Sequence, residues 1–279
     1  MISPQELALP INRCNVPGYL IASLSYQAAP CPLILDGIEP HFADLFVHLR
    51  RQSDAAARAA RFIDYMAVRF RLPGHELTPW PEAEPVPRPA ANYRRLLLGW
   101  MFDSDSDAGA ALRCWVESRF GLRTLYHRQP IDGAIDGHLD GPIDGPIDGD
   151  ESPARWAFLQ AATRMLYQTN ALDTQLDLLY SFCQFELACR YPNQRHLTLY
   201  RGGSERPCPS DSGPAILCVN NLSSFTREID EAYRFGSRVY GVEVPLSKIV
   251  CFDTLLPGSL GGESEFMVLG GLYPVTPAL

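Results

Sequence analysis

Apolar side chains recur at helical spacing along most of this 279-residue chain, and beyond about residue 190 they switch to the two-residue alternation of strands. That switch predicts an α+β fold with helices first and sheet last. Over 39–72, Phe42, Leu45, Phe46 and Leu49, then Ile63, Met66, Ala67 and Phe70, keep a helical period on either side of Ser53 and Asp54, which can cap a second helix. A proline-rich stretch at 73–89 precedes helices over 92–102 and 107–120, the second stopped by Gly121. Ser152 and Pro153 supply an N-cap and first-turn pair for a helix to about 169, and a longer helix spans 173–190. Strands follow over 197–200, 215–219, 222–226, 238–244, 249–252 and 266–269.

The division is drawn at residue 150, with a mainly helical region over 1–150 and the strand-bearing core over 151–279. At that boundary lie five tandem tetrads of the form Ile/Leu-Asp-Gly-x, residues 131–150. Their period of four matches neither the EF-hand loop nor the nonapeptide calcium roll. Gly and Pro at this density resist a packed core, so the repeat reads as a mobile surface loop.

Chemistry concentrates near the carboxyl end. Glu263 and Glu265 stand two apart at the mouth of the apolar run from Phe266 to Leu269, so in an extended chain both carboxylates share one face. Their repulsion raises at least one pKa unless a cation or hydrogen-bond donors are near, which is how sites handling protons or positive charge are built. Standing alone, the pair also suits a solvated turn entering an edge strand. Upstream, an alternating run from His196 delivers Arg201 to Gly202 and Gly203, and the planar fork of an arginine suits phosphate oxygens. Ser224 and Thr226 share one strand face, with the amide of Asn221 nearby; these neutral groups suit sugar hydroxyls and can orient a carboxylate. Taken singly, each reads as an ordinary strand residue.

The order Arg201, Ser224-Phe225-Thr226, Glu263-Ser264-Glu265 resembles the arginine-specific mono-ADP-ribosyltransferases of the cholera-toxin-like class, the R-S-E class of transferases. Ala232 and Phe235-Gly236 fall where that class carries an Ala and a Phe on the next helix. With the runs Asn12-Arg13-Cys14-Asn15, Asn220-Asn221-Leu222-Ser223 and Val244-Pro245-Leu246-Ser247-Lys248-Ile249, the chain is similar over nearly its whole length to the NAD-dinitrogenase-reductase ADP-ribosyltransferases, bacterial enzymes that shut off nitrogenase.

The resemblance implies a split two-sheet core over 151–279, with NAD bound as substrate in the cleft between the sheets. It implies dinitrogenase reductase as the protein partner and links the family to a PII signal protein. For the residues, it implies that Glu265 stabilises the oxocarbenium-like ribose and that Glu263 acts as base toward the acceptor guanidinium. Arg201, with Gly202, would hold the NAD phosphates, Ser224 would position Glu265 and the ribose, and Thr226 would brace the strand. Tyr200 or Phe235 would pack on the cofactor. The alternatives are an NAD glycohydrolase with the same first step, and a non-catalytic NAD- or protein-binding module. A glycosidase fits poorly, because its acid and nucleophile flank a bond from opposite sides.

Composition removes other classes. The formal charge is −8, and no basic cluster is denser than Arg50-Arg51 or Arg94-Arg95, so there is no stripe for nucleic acid. No apolar stretch reaches the length of a membrane span and no export segment is legible, so the chain is expected to be cytoplasmic. Eight cysteines show neither a C-x-x-C pair nor a zinc spacing with histidine; they read as reduced and mostly buried thiols, with no metal site. His41 and His48 fall seven apart on a predicted helix and are assigned to core or surface. Lys248 is the only lysine.

Overall fold

A computed structural model describes residues 3–72, 91–125, 153–166, 171–210, 213–257 and 264–278. The proline-rich stretch, the tetrad repeat and Glu263 lie outside the described residues. Helices α1 (Gly18–Ile21), α2 (Leu24–Ala28), α3 (Ile38–His41), α4 (Ala43–Arg50), α5 (Ala55–Phe70), α6 (Tyr93–Phe102), α7 (Asp107–Phe120), α8 (Pro153–Leu166) and α9 (Leu172–Arg190) come first. Strands β1 (His196–Gly203), β2 (Ala215–Thr226), β3 (Arg238–Pro245), β4 (Ile249–Phe252) and β5 (Glu265–Pro277) follow, with α10 (Ile229–Arg234) between β2 and β3. The α+β order predicted from periodicity is observed.

Local chemistry sets the helix ends. Asp54, Asn92 and Ser106 accept hydrogen bonds from Ala57 N (2.8 Å), Arg95 N (3.1 Å) and Gly109 N (3.3 Å), satisfying otherwise orphaned donors at the starts of α5, α6 and α7. α7 stops at Gly121, whose φ of 64° a glycine adopts without cost. The helix expected before Ser53 is two helices, because Phe42 leaves helical geometry between α3 and α4. His41 and His48 therefore belong to different helices.

The strands form one sheet that closes on itself, and this corrects the expected pair of separate sheets. β1 pairs along its length with β3, and β2 along its length with β5, all antiparallel. Tyr200 opposite Thr226 joins β1 to β2, while Tyr240 opposite Pro277 and Gly241 opposite Thr276 join β3 to β5. β1, β2, β5 and β3 thus make a four-stranded closed barrel, with β4 added on the outer edge of β5. The two halves of β2, expected as separate strands, are one strand bulged between Val219 and Leu222. β5 continues through Gly270 and Gly271 rather than ending at Leu269. A Cβ on Gly270 would sit 2.0 Å from the Asn220 carbonyl oxygen, and Gly271 has φ 124° with Ala22 pressed against it. These glycines mark close backbone approach, not a strand end.

α9 lays Leu176, Leu179, Phe182, Cys183 and Leu187 into the core, and Phe62 of α5 stacks on Phe182 with centroids 4.3 Å apart. Two buried ion pairs cross the helical layer: Arg58 with Glu186, and Arg119 with Asp177 through bonds of 2.8 and 3.1 Å. The amino-terminal segment is bonded into the barrel. Leu272 N donates to Ala22 O (2.9 Å), and Lys248 Nζ donates to Ile21 O (3.1 Å) and Gly270 O (2.7 Å) over the Tyr273 ring. Lys248 is fully buried, and burial holds its pKa well below the usual lysine range. Asn12 and Asn15 are likewise structural, donating to Val16 O (2.6 Å) and Pro32 O (3.1 Å). The cysteines are free thiols, but they are not mostly buried: Cys183 and Cys251 are, whereas Cys31, Cys189 and Cys208 are exposed.

Candidate active site

A cleft of about 520 Å³ opens where the end of α6, the turn after it and Arg113 of α7 face α10 and the ends of β1, β2 and β5. Arg201, Gly202, Ser224, Thr226 and Glu265 all line it, so five of the six predicted site residues converge although 64 positions separate Arg201 from Glu265. The sixth, Glu263, is outside the described residues. Thr226 is directly opposite Glu265 and Ser224 opposite Met267, which puts Ser224, Thr226 and Glu265 on one face of the β2–β5 pair.

Glu265 is buried, and one of its oxygens is held from two sides. Ser224 Oγ donates to Oε1 at 2.5 Å and Trp100 Nε1 donates to the same atom at 2.9 Å. Trp100 Nε1 also lies 3.1 Å from Ser224 Oγ. The guanidinium of Arg113 stands 5.2 Å from the Trp100 ring centroid and bonds Asp105 at 3.0 Å. Ser264, next to Glu265, has φ 47°, a left-handed conformation that costs a serine about 1–2 kcal/mol.

Arg201 Nη1 donates to Ser224 O at 2.9 Å and Nη2 to Glu205. Burial raises the Glu205 pKa, but the charge and hydrogen bond of Arg201 outweigh it and the net shift is downward. Arg201 Nε is buried with no hydrogen-bond partner among the described residues. Beside it, a Cβ on Gly202 would lie 1.8 Å from Ala232 O, so the glycine lets α10 press against β1. Thr226 Oγ1 accepts from Glu228 N at 3.1 Å in the turn toward α10.

Tyr200 and Phe235 both line the cleft, and Phe235 is 59% exposed. Phe102, 80% exposed, adds a second open aromatic face. Asn221 is a correction. Its amide is buried away from the cleft, donating to Arg113 O (2.9 Å) and Leu122 O (3.3 Å) and accepting from Thr124 Oγ1 (2.8 Å). Reasoning from strand motifs missed Trp100, Arg113, Glu205 and Phe102; only Glu205, four residues past Arg201, had a legible spacing.

A fixed carboxylate, a cation and open aromatic faces suit a ligand carrying a sugar, an anionic group and planar rings. The volume falls within the range of pockets that enclose small molecules, about 300–1,000 Å³. The family model described as dinitrogenase reductase ADP-ribosyltransferase matches residues 11–139 and 143–277. The chain belongs to that ADP-ribosyltransferase family. NAD(+)–dinitrogen-reductase ADP-D-ribosyltransferase of Rhodospirillum rubrum is 33% identical over 273 residues, 95% of this chain and 93% of that protein. No solved structure gives a significant match. The match to the ADP-ribosyltransferase family includes every side chain of the cleft named above and is interrupted once, at 140–142, inside the tetrad repeat.

Proposed function

We propose that this chain transfers ADP-ribose from NAD to an arginine of dinitrogenase reductase and so inactivates nitrogenase. The observation that carries the reading is the buried Glu265 carboxylate, oriented by Ser224 and Trp100 in the cleft that Arg201 shares, within a chain of this family. NAD supplies the ADP-ribosyl group, and its nicotinamide–ribose bond is the bond that breaks.

Glu265 stabilises positive charge that develops on the ribose only as that bond breaks, which lowers the barrier without tightening ground-state binding. Ser224 keeps the carboxylate aimed. Arg201 attracts an anionic group of the dinucleotide, and the open faces of Phe235 and Phe102, with Tyr200 beside them in the cleft, receive its planar rings. Glu263, two residues before Glu265, takes the proton that the acceptor guanidinium must lose, because a protonated guanidinium is no nucleophile. A new nitrogen–carbon bond to the ribose then replaces the one to nicotinamide, which leaves.

The test is incubation with labelled NAD and purified dinitrogenase reductase, followed by peptide mass spectrometry. ADP-ribose on one arginine of the reductase is the expected result. Label on another residue type would refute arginine specificity, and no label with nicotinamide still released would make the protein a glycohydrolase.

A further inference from the structure

We infer that Trp100 of α6 is a positioning residue for Glu265, acting through its indole N–H shared between Ser224 Oγ and Glu265 Oε1. The inference rests on the role proposed for Glu265. Trp100 is 3% exposed, so its N–H requires a protein partner, and the partners it meets are the two polar groups of the cleft rather than a backbone carbonyl.

An indole can only donate. By pointing its hydrogen at the Ser224 oxygen, Trp100 leaves that hydroxyl one useful orientation, with its own hydrogen on Glu265 Oε1 at 2.5 Å. Three atoms thus fix each other: the indole sets the hydroxyl, and both set the carboxylate. Both donors favour the ionised carboxylate, the form that stabilises a developing cation. Arg113, 5.2 Å from the ring centroid, holds the indole face and adds positive potential behind the N–H, while Asp105 holds Arg113 at 3.0 Å. Asp105, Arg113 and Trp100 all belong to α6, α7 or the turn between them. The helical part of the chain therefore contributes directly to the orientation of the carboxylate.

The experiment replaces Trp100 with β-(3-benzothienyl)alanine, which keeps the ring shape and lacks the N–H, beside Trp100→Phe and Glu265→Gln. NAD hydrolysis without protein acceptor is followed, with thermal melting as a check on folding. Loss of a hydrogen bond to a charged group corresponds to roughly a 10- to 100-fold fall in rate. The isostere is expected to lose that much kcat with KM for NAD changed less than about threefold. An isostere that keeps the parent kcat, while Glu265→Gln is impaired, would overturn the role of Trp100 alone. Should Glu265→Gln hydrolyse NAD like the parent, the reading of the cleft itself fails.

Discussion

Two carboxylates two residues apart can do different work only if one meets the ribose and the other the acceptor. On the role proposed for Glu265, Glu265→Gln removes charge stabilisation common to transfer and hydrolysis, so both should fall about 10²- to 10³-fold. Glu263→Gln should instead abolish transfer to arginine while slow NAD hydrolysis persists, measured as nicotinamide release. Equal loss of both activities in both variants would remove this division of labour. Glu205 offers a separate test of Arg201. Its carboxylate engages Nη2 and offsets the charge by which Arg201 would attract an anion. Glu205→Gln should therefore tighten NAD binding several-fold in calorimetry, and Arg201→Lys, which loses the fork, should weaken it. Unchanged affinity in both would take Arg201 out of phosphate recognition.

At the scale of elements, the β2 bulge is the joint between sheet and helices. Asn221 ties it to the middle of α7 and to the segment just after that helix with three side-chain hydrogen bonds, all buried. Asn221→Ala strands those partners, and a stability loss of about 1–3 kcal/mol by urea denaturation is expected. A change within about 0.5 kcal/mol would contradict the role given to the bulge. What the sequence revealed and concealed follows the same line. Alternation in β1, β2 and β5 put Arg201, Ser224, Thr226 and Glu265 on definable faces, because a strand's period is a local property. Gly270 and Gly271 read as a strand end because their reason, contact with Asn220 and Ala22, lies in tertiary structure. Trp100 lies unmarked within the helix predicted over 92–102 for the same cause: the partners of its N–H are 124 and 165 positions away. The short helices α1 and α2 have too few turns to display a period.

Across the whole molecule, Lys248 makes global stability depend on pH. Its folded pKa is depressed below the ordinary 10.5, so between the two values the unfolded chain holds a proton that the folded chain does not. Unfolding then takes up a proton, and stability must rise with pH through that window. Buried tyrosines and cysteines titrate as well, so the measurement is a difference: parent minus Lys248→Met, by urea denaturation from neutral pH to about pH 10. The parent should gain on the variant as pH rises, and parallel curves would refute the buried neutral amine.

β5 is the last strand of the described fold, yet it pairs with β2, β3 and β4, and Leu272 bonds back to Ala22. In chain order the helices and four strands precede the strand that joins them, so the barrel cannot close until β5 is made. Pairings of such long sequence separation form slowly. Glu265 enters on that same closing strand, so assembly of the barrel and arrival of the carboxylate are one event. Before β5 has joined, the chain has neither, and the cleft gains its buried carboxylate only when the last of these strands is in place.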